Sequence, residues 1–390
     1  MHGGNIYGNR IEYDFSVNLN PLGPPDAVRE ALAHALNHVE EYPDPEYREL
    51  RRELANYRQL AEEQLVLGNG ASELIPGIIR ALAPKTCMVT APCYSGYETA
   101  LKAAAPSCRI HRIFLRAEDD FTLPENICRE IAHVKPDVLI LTNPNNPNGK
   151  RISGNCLREI ADACRRAGTV LLMDECFLAL SGGDEDSLIH CIRSEALPAT
   201  RIGKEGLPPT VVLRAFTKTF AIPGVRLGYA VCSGSLAARI RRELPEWNLS
   251  VFAQYAGLAA LEAVTPETVV PETTARETSA LGTVTPGTAA GGSPASETSG
   301  YLVASVEMIA REREYLSEEL EKLGLRVFPS DANYILFQSR DRELHRKLLD
   351  KGILIRDCRD YHGLTGGFYR VAVRTRWENT ALLRCLRNIK

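Results

Sequence analysis

Short apolar runs alternate along the chain with stretches whose apolar residues recur at helical spacing. Cys87-Met88-Val89-Thr90, Val138-Leu139-Ile140-Leu141, Val170-Leu171-Leu172-Met173, Val211-Val212-Leu213 and Leu227-Gly228-Tyr229-Ala230-Val231 predict short buried strands. Residues 155–167 predict one of the helices between them. Apolar strands separated by helices predict a mostly parallel, helix-covered sheet. Ligands of such sheets sit beyond the carboxyl ends of the strands. Nearer the C-terminus the pattern changes. Residues 303–323 predict a helix, and residues 325–328, 334–337, 353–355 and 369–373 predict strands of a smaller α/β unit.

Residues 264–300 break the pattern. They are dominated by Thr, Pro, Glu, Ser, Ala and Gly with almost no large apolar side chains. Such a stretch buries too little surface to offset its ordering entropy and is expected to be disordered, as a tolerated surface insertion or as a regulatory or partner-binding element. The expected division is an N-terminal arm with part of the small domain over 1–40, a large domain over 41–263, the insertion over 264–300 and a small C-terminal domain over 301–390.

Composition narrows the function classes. A chain of 390 residues with 44% hydrophobic and 24% charged content suits an ordinary soluble enzyme. A net charge of -3 supplies no basic field for nucleic acid. The 11 cysteines are scattered, odd in number and free of Cys-x-x-Cys pairs, which argues for reduced thiols in the cytoplasm and against a zinc site. The N-terminus carries no signal pattern, and no apolar run reaches the roughly eighteen residues of a membrane span.

The candidate chemistry centres on Arg214-Ala215-Phe216-Thr217-Lys218-Thr219-Phe220-Ala221-Ile222-Pro223-Gly224-Val225-Arg226-Leu227-Gly228. Asp174-Glu175 follows a predicted strand, with Phe177 shortly after it. Thr142-Asn143-Pro144-Asn145-Asn146-Pro147-Asn148-Gly149 follows another strand and, by its Asn-Pro and Asn-Gly steps, reads as a tight turn. Gly68-Asn69-Gly70-Ala71-Ser72-Glu73 opens a helical pattern, where backbone N–H groups can face a phosphate. Any one of these alone reads equally well as a loop, a cap or a surface lysine; their order and settings carry the weight.

Together they resemble the fold-type-I pyridoxal-phosphate (PLP) enzymes, of aspartate-aminotransferase-like fold. The resemblance covers nearly the whole chain outside the insertion. It implies that Lys218 bonds the cofactor aldehyde and that Asp174 pairs with the pyridine nitrogen. It implies that Asn146 donates to the phenolic oxygen and that Tyr94 stacks on the ring. Gly70, Ala71, Ser72, Thr217 and Arg226 would hold the cofactor phosphate, joined by Tyr42 of a neighbouring subunit in a homodimer with shared sites. Arg370 would clamp the substrate carboxylate, where a planar fork serves better than lysine. Three positions depart from the family pattern: Phe177 where tyrosine is common, Asn148 where threonine is usual, and Ala215 where Ser or Thr often adds a phosphate contact.

Within that family, two groups share these features. Histidinol-phosphate aminotransferases have the Tyr-Pro-Asp and Asn-Pro elements. Threonine-phosphate decarboxylases of cobalamin synthesis also resemble His2-Gly3-Gly4-Asn5-Ile6, Asp14-Phe15-Ser16-Val17-Asn18-Leu19-Asn20-Pro21, Ile353-Leu354-Ile355-Arg356-Asp357-Cys358 and Tyr369-Arg370-Val371-Ala372-Val373-Arg374. This resemblance implies a glycine-rich lid over a substrate phosphate, with His2, Gly3, Gly4, Asn18 and Arg356 as donors, Asn146 and Arg370 beside them, and Arg374 as a further candidate. The expected activity is decarboxylation of L-threonine O-3-phosphate, with a PLP aminotransferase acting on histidinol phosphate as the alternative. A non-catalytic binding protein and an enzyme for another phosphorylated or phosphonate-bearing amino acid also stay open.

Overall fold

The computed structural model describes residues 3–193, 208–265 and 300–389. His2 and residues 266–299 of the expected insertion lie outside them.

Among the described residues the larger sheet has seven strands. In chain order they are β2 (Leu65–Gly68), β3 (Thr86–Ala91), β4 (Arg109–Phe114), β5 (Val138–Thr142), β6 (Val170–Asp174), β7 (Thr210–Ala215) and β8 (Gly228–Val231). Their spatial order is β2-β8-β7-β6-β5-β3-β4. From β4 to β7 every pairing is parallel, whereas β8 runs antiparallel to both of its neighbours. The apolar run that predicted β8 carries no information on its direction. Two strands were not anticipated: β2, although Leu65-Val66-Leu67 is a short buried apolar run like the others, and β4, an edge strand whose side chains are mostly open to solvent.

Both faces of this sheet are covered. Leu139, Leu171, Met173 and Val212 pack on one side with residues of helices Arg48–Arg58, Gly154–Ala167 and Val251–Glu262. Val89, Ile140, Leu172 and Leu213 pack on the other with helices Ala71–Leu82 and Gly234–Arg241. Burial on both faces is why the apolar residues of these strands run consecutively rather than at alternate positions.

The smaller unit has an antiparallel sheet of order β12-β13-β10-β9, from β9 (Arg326–Val327), β10 (Tyr334–Gln338), β12 (Arg356–Asp357) and β13 (Phe368–Ala372). Helices Gly300–Lys322 and Arg376–Asn388 share its apolar core through Leu316, Leu320, Leu382 and Leu383. The strand expected over 353–355 is instead two. β11 (Ile353–Leu354) pairs in parallel with β1 (Tyr13–Asp14), and after Ile355 the chain changes partner to form β12 against β13. Ile353 and Ile355 are both buried, so the apolar pattern is continuous although the hydrogen-bond partners change.

The N-terminal segment ties the two sheets together. Phe15 O accepts from Ala372 N at 2.8 Å, Asn20 N donates to Lys218 O at 3.1 Å, and Asn20 Nδ2 donates to Thr219 O at 2.9 Å. Helix Asp26–Ala35 then packs on helix Val251–Glu262 of the large unit. All eleven cysteines are free thiols.

Candidate active site

The carboxyl ends of β3, β5, β6 and β7 emerge at one edge of the sheet because these strands are parallel. Each delivers a candidate residue there: Tyr94 after β3, Asn146 after β5, Asp174 at the end of β6, and Lys218 in the short helix Phe216–Thr219 after β7. A cavity of about 280 Å³ opens between them and is lined by Tyr94, Asn146, Asp174, Phe177, Thr217 and Lys218, among others.

Asp174 is held from two sides. Tyr97 Oη donates to Asp174 Oδ2 at 2.5 Å, and Cys176 N donates to Oδ1 at 2.9 Å. Burial, then the Asp174 charge, pushes the Tyr97 phenol well above its ordinary value, so it stays a donor. Burial, with Arg370 and Arg226 adding positive charge, lowers the Lys218 amine to about 8.

A buried ionic network fixes the strands that carry these two residues. Arg214 on β7 donates Nε and Nη2 to Glu175 Oε2 at 3.1 and 2.7 Å. Glu175 also accepts from Ser187 Oγ at 2.5 Å and Leu188 N at 2.9 Å. Asp184 accepts from Arg58 Nη1 at 2.8 Å and Arg214 Nη1 at 2.5 Å. Burial opposes ionisation of Asp184, but Arg214 and Arg58 outweigh it and hold its carboxyl well below the usual carboxylate range.

One end of the cavity is a helix start. Ala71 and Ser72 lie in the first turn of helix Ala71–Leu82, whose opening N–H groups have no partner within the helix. Arg226 Nη2 donates to Ser72 Oγ at 2.8 Å and also faces the cavity. Gly70 precedes the helix with φ +74, and a Cβ there would collide with the Arg226 guanidinium. Gly70 therefore shapes this end without lining the cavity. A Cβ on Gly228 would come within 2.9 Å of Ala71 N, so β8 approaches the helix start only because it begins with glycine.

The small unit and the N-terminal segment close the opposite end. Arg370 Nη1 donates to Asn146 Oδ1 at 2.5 Å and Nη2 to Ser16 O at 2.8 Å. Its Nε is buried with no partner among the described residues. Tyr361 Oη donates to the same Asn146 oxygen at 3.3 Å. Because arginine can only donate, Asn146 must turn Oδ1 toward it, which leaves Nδ2 as a donor. Gly3, Ser16, Val17, Asn18 and Arg356 complete the lining. Asn18 Oδ1 is buried and unpartnered.

Tyr42, Gly4 and Arg374 do not line this cavity, whereas Arg356 and Phe177 do. Tyr42 is 83% exposed, packs its ring on Trp247 at 5.3 Å and does not reach the cavity of its own chain. Gly4 spends its N–H on Ser16 Oγ at 2.7 Å. Arg374 is engaged by Glu378 and does not line the cavity. Arg356 lines it but is paired with Asp360. Phe177 packs edge-on against Tyr334 at 5.0 Å, and Asn148 accepts from Asn145 at 2.8 Å while donating to Phe121 O at 3.1 Å, so its amide holds the turn together. Sequence reasoning missed Ser16, Tyr97, Cys176 and Tyr361. Tyr97 had a signal, as the second tyrosine of Pro92-Cys93-Tyr94-Ser95-Gly96-Tyr97, one helical turn after the first.

The cavity brings together a helix start with an arginine, a buried carboxylate, a lysine and a tyrosine, a set that suits a phosphorylated aromatic cofactor. The family model for class I and II aminotransferases matches residues 10–386, and the chain belongs to that family. Its cofactor is pyridoxal phosphate. The threonine-phosphate decarboxylase of Salmonella typhimurium is 34% identical over 382 residues, 96% of this chain and 90% of that protein. A histidinol-phosphate aminotransferase of Archaeoglobus fulgidus is 29% identical over 381 residues, 96% of this chain and 92% of that protein. The solved structure of the histidinol-phosphate aminotransferase from Clostridium acetobutylicum has a TM-score of 0.76 at 26% identity, covering 97% of this chain and 98% of that one. Among the described residues no helix is long and apolar enough to cross a membrane.

Proposed function

We propose that this protein is a PLP-dependent decarboxylase that converts L-threonine O-3-phosphate to (R)-1-amino-2-propanol O-2-phosphate and CO2, a step of cobalamin synthesis. The observation that carries the reading is a single cavity with separate cationic positions. Arg226 stands at the helix start, Arg370 beside Asn146, and Arg356 lines the same cavity as Gly3 of the N-terminal segment. A phosphorylated cofactor and a substrate with both a carboxylate and a phosphate need three such positions. The 34% likeness to a threonine-phosphate decarboxylase supports the same assignment.

The residues present fit the cofactor. Ala71 and Ser72 N–H groups, Thr217 and Arg226 suit its phosphate. Asp174 suits the pyridine nitrogen, Asn146 Nδ2 the phenolic oxygen, and Tyr94 one face of the ring. Bound there, PLP supplies an electron sink for the bond broken at the substrate Cα.

The chain's own groups decide which bond that is. The Arg370 guanidinium lines the cavity, where its planar fork suits a substrate carboxylate. Arg356, Asn18 and the Gly3 segment hold the distal phosphate. Anchoring both ends fixes rotation about the Cα bonds, so remote binding energy is spent on orientation. Tyr97 and Cys176 N keep Asp174 oriented and hydrogen-bonded. The Lys218 amine, lowered to about 8, returns a proton to Cα once the carboxylate has left.

The 29% identical aminotransferase favours a second reading, in which the same residues serve amino transfer from histidinol phosphate to 2-oxoglutarate and Lys218 shuttles the Cα proton. Product analysis separates the two. PLP-loaded protein is given L-threonine O-3-phosphate alone, and separately histidinol phosphate with 2-oxoglutarate. CO2 and aminopropanol phosphate from the first mixture with no glutamate from the second is the expected result. Glutamate without CO2 would refute the decarboxylase.

A further inference from the structure

Arg356 faces the cavity, yet its charge is already committed. Its side chain is 6% exposed, and Nη2 donates to both carboxylate oxygens of Asp360 at 2.8 and 2.9 Å. Nη1 donates to Asp357 O at 2.6 Å, and the guanidinium stands 5.1 Å from the Tyr361 ring centre. Burial disfavours the Asp360 charge, but Arg356, with the N-terminal ammonium charge adding to it, outweighs burial and holds its carboxyl below the ordinary value. The two partners are unequal in burial: the Asp360 side chain is 37% exposed against 6% for Arg356, so the carboxylate is the partner nearer to water.

We propose that Asp360 is a displaceable counter-ion that competes with the substrate's anionic group for Arg356 and thereby sets the specificity of that end of the site. The inference rests on the reading of Arg356 as a phosphate position. An oxyanion arriving there meets a carboxylate already on the guanidinium, and two like charges cannot share one fork without repulsion. A phosphate, with about -1.5 to -2 charges and three acceptor oxygens, displaces Asp360. A neutral or weakly anionic side chain does not, and leaves the pair closed. Asp360 thus supplies the repulsive element of specificity while Arg356 supplies the attractive one. Asp357 does not take over the role, because its carboxylate is held by Arg359 at 2.6 Å and faces His345 at 3.3 Å.

The test is calorimetric titration of PLP-loaded protein with inorganic phosphate, the cofactor's own phosphate site then being filled. Asp360→Asn should bind phosphate about two- to fivefold more tightly than wild type, the range of a partly exposed ion pair. Arg356→Gln should bind it more weakly, and adding Asp360→Asn to Arg356→Gln should give no gain. With the natural substrate, Asp360→Asn should lower KM and leave kcat unchanged. Damage to packing weakens binding, so a tighter complex is not what a structural lesion produces. Asp360→Ser provides the same reading if the Asn variant does not fold. Affinity that falls in Arg356→Gln but is unchanged or weaker in both Asp360 variants overturns the counter-ion and leaves the phosphate reading standing. Affinity unaffected by Arg356→Gln overturns both.

Discussion

At the scale of single residues, the site depends on protonation states that burial sets. Lys218 is lowered to about 8 from an ordinary 10.5, so the rate at which apoprotein takes up pyridoxal phosphate should rise with pH and level off above about 8. Arg370→Met removes a neighbouring cation and should move that midpoint upward; stopped-flow absorbance across pH 6–10 checks both. The same shift has a stability consequence. Between about 8 and 10.5 the unfolded chain binds more protons at this lysine than the folded chain does. Apoprotein stability should therefore rise with pH through that window, a contribution visible in urea midpoints as a difference from Lys218→Met. Tyr97→Phe deletes the hydroxyl 2.5 Å from Asp174. Losing a hydrogen bond to a charged group costs about 1.5–3 kcal/mol, so kcat should fall by roughly ten- to a hundredfold with the fold intact by circular dichroism. Lys218, Asp174 and Asn146 were legible because each stands in a distinctive local string. Tyr97 was not singled out, because what makes it matter is a contact with a residue 77 positions away.

At the scale of elements, two helix starts separate function from stability. Gly70 combines φ +74 with a position where a Cβ strikes Arg226. Gly70→Ala should lower cofactor affinity about tenfold, because the new Cβ displaces the Arg226 guanidinium and a hydrogen bond to a charged group is worth about 1.5–3 kcal/mol. Equilibrium dialysis with pyridoxal phosphate measures it. Helix Arg376–Asn388 instead opens with a reciprocal cap, in which Thr375 Oγ1 accepts from Glu378 N and Glu378 accepts from Thr375 N at 3.1 Å. Thr375→Ala should cost about 1 kcal/mol of stability and leave cofactor affinity unchanged, as thermal melts with and without cofactor would show. Sequence pattern located strands β3, β5, β6 and β7 because their central residues are apolar toward both faces of the sheet. It passed over β4, whose side chains are largely exposed, and it joined β11 to β12, because the apolar sequence continues through Ile355 while the pairing does not.

At the scale of the whole molecule, the cavity is assembled from segments that only the fold brings together. Ser16 meets Arg370 across 354 positions, and Asn146 meets it across 224. The exposed Tyr42 and Trp247 pair, with Leu36 and Val39 also open to solvent, suits a second copy of this chain as partner. In a dimer with shared sites, Tyr42→Ala should weaken cofactor binding without altering any contact within its own cavity. Mixing it with Lys218→Ala should restore part of the activity, because one of the two sites in a mixed dimer is then free of both substitutions. Sedimentation velocity together with activity of the mixture checks this, and a monomer at working concentration would refute it.

By itself the sequence determined the chemical types, their order and the strands that present them. Burial on two faces leaves an apolar run, a tight turn leaves Asn, Pro and Gly, and both are local properties that a string of residues can carry. Only the tertiary structure decided which donors meet which acceptors. Asn146 points its oxygen at Arg370 and Tyr361, Asp174 lies between Tyr97 and the Cys176 N–H, and Arg356 is paired with Asp360. Most of these pairings join residues far apart in the chain, and even the short-range Arg356–Asp360 contact depends on the turn between them. Their distances are set by how sheets and helices pack, which no local spacing encodes.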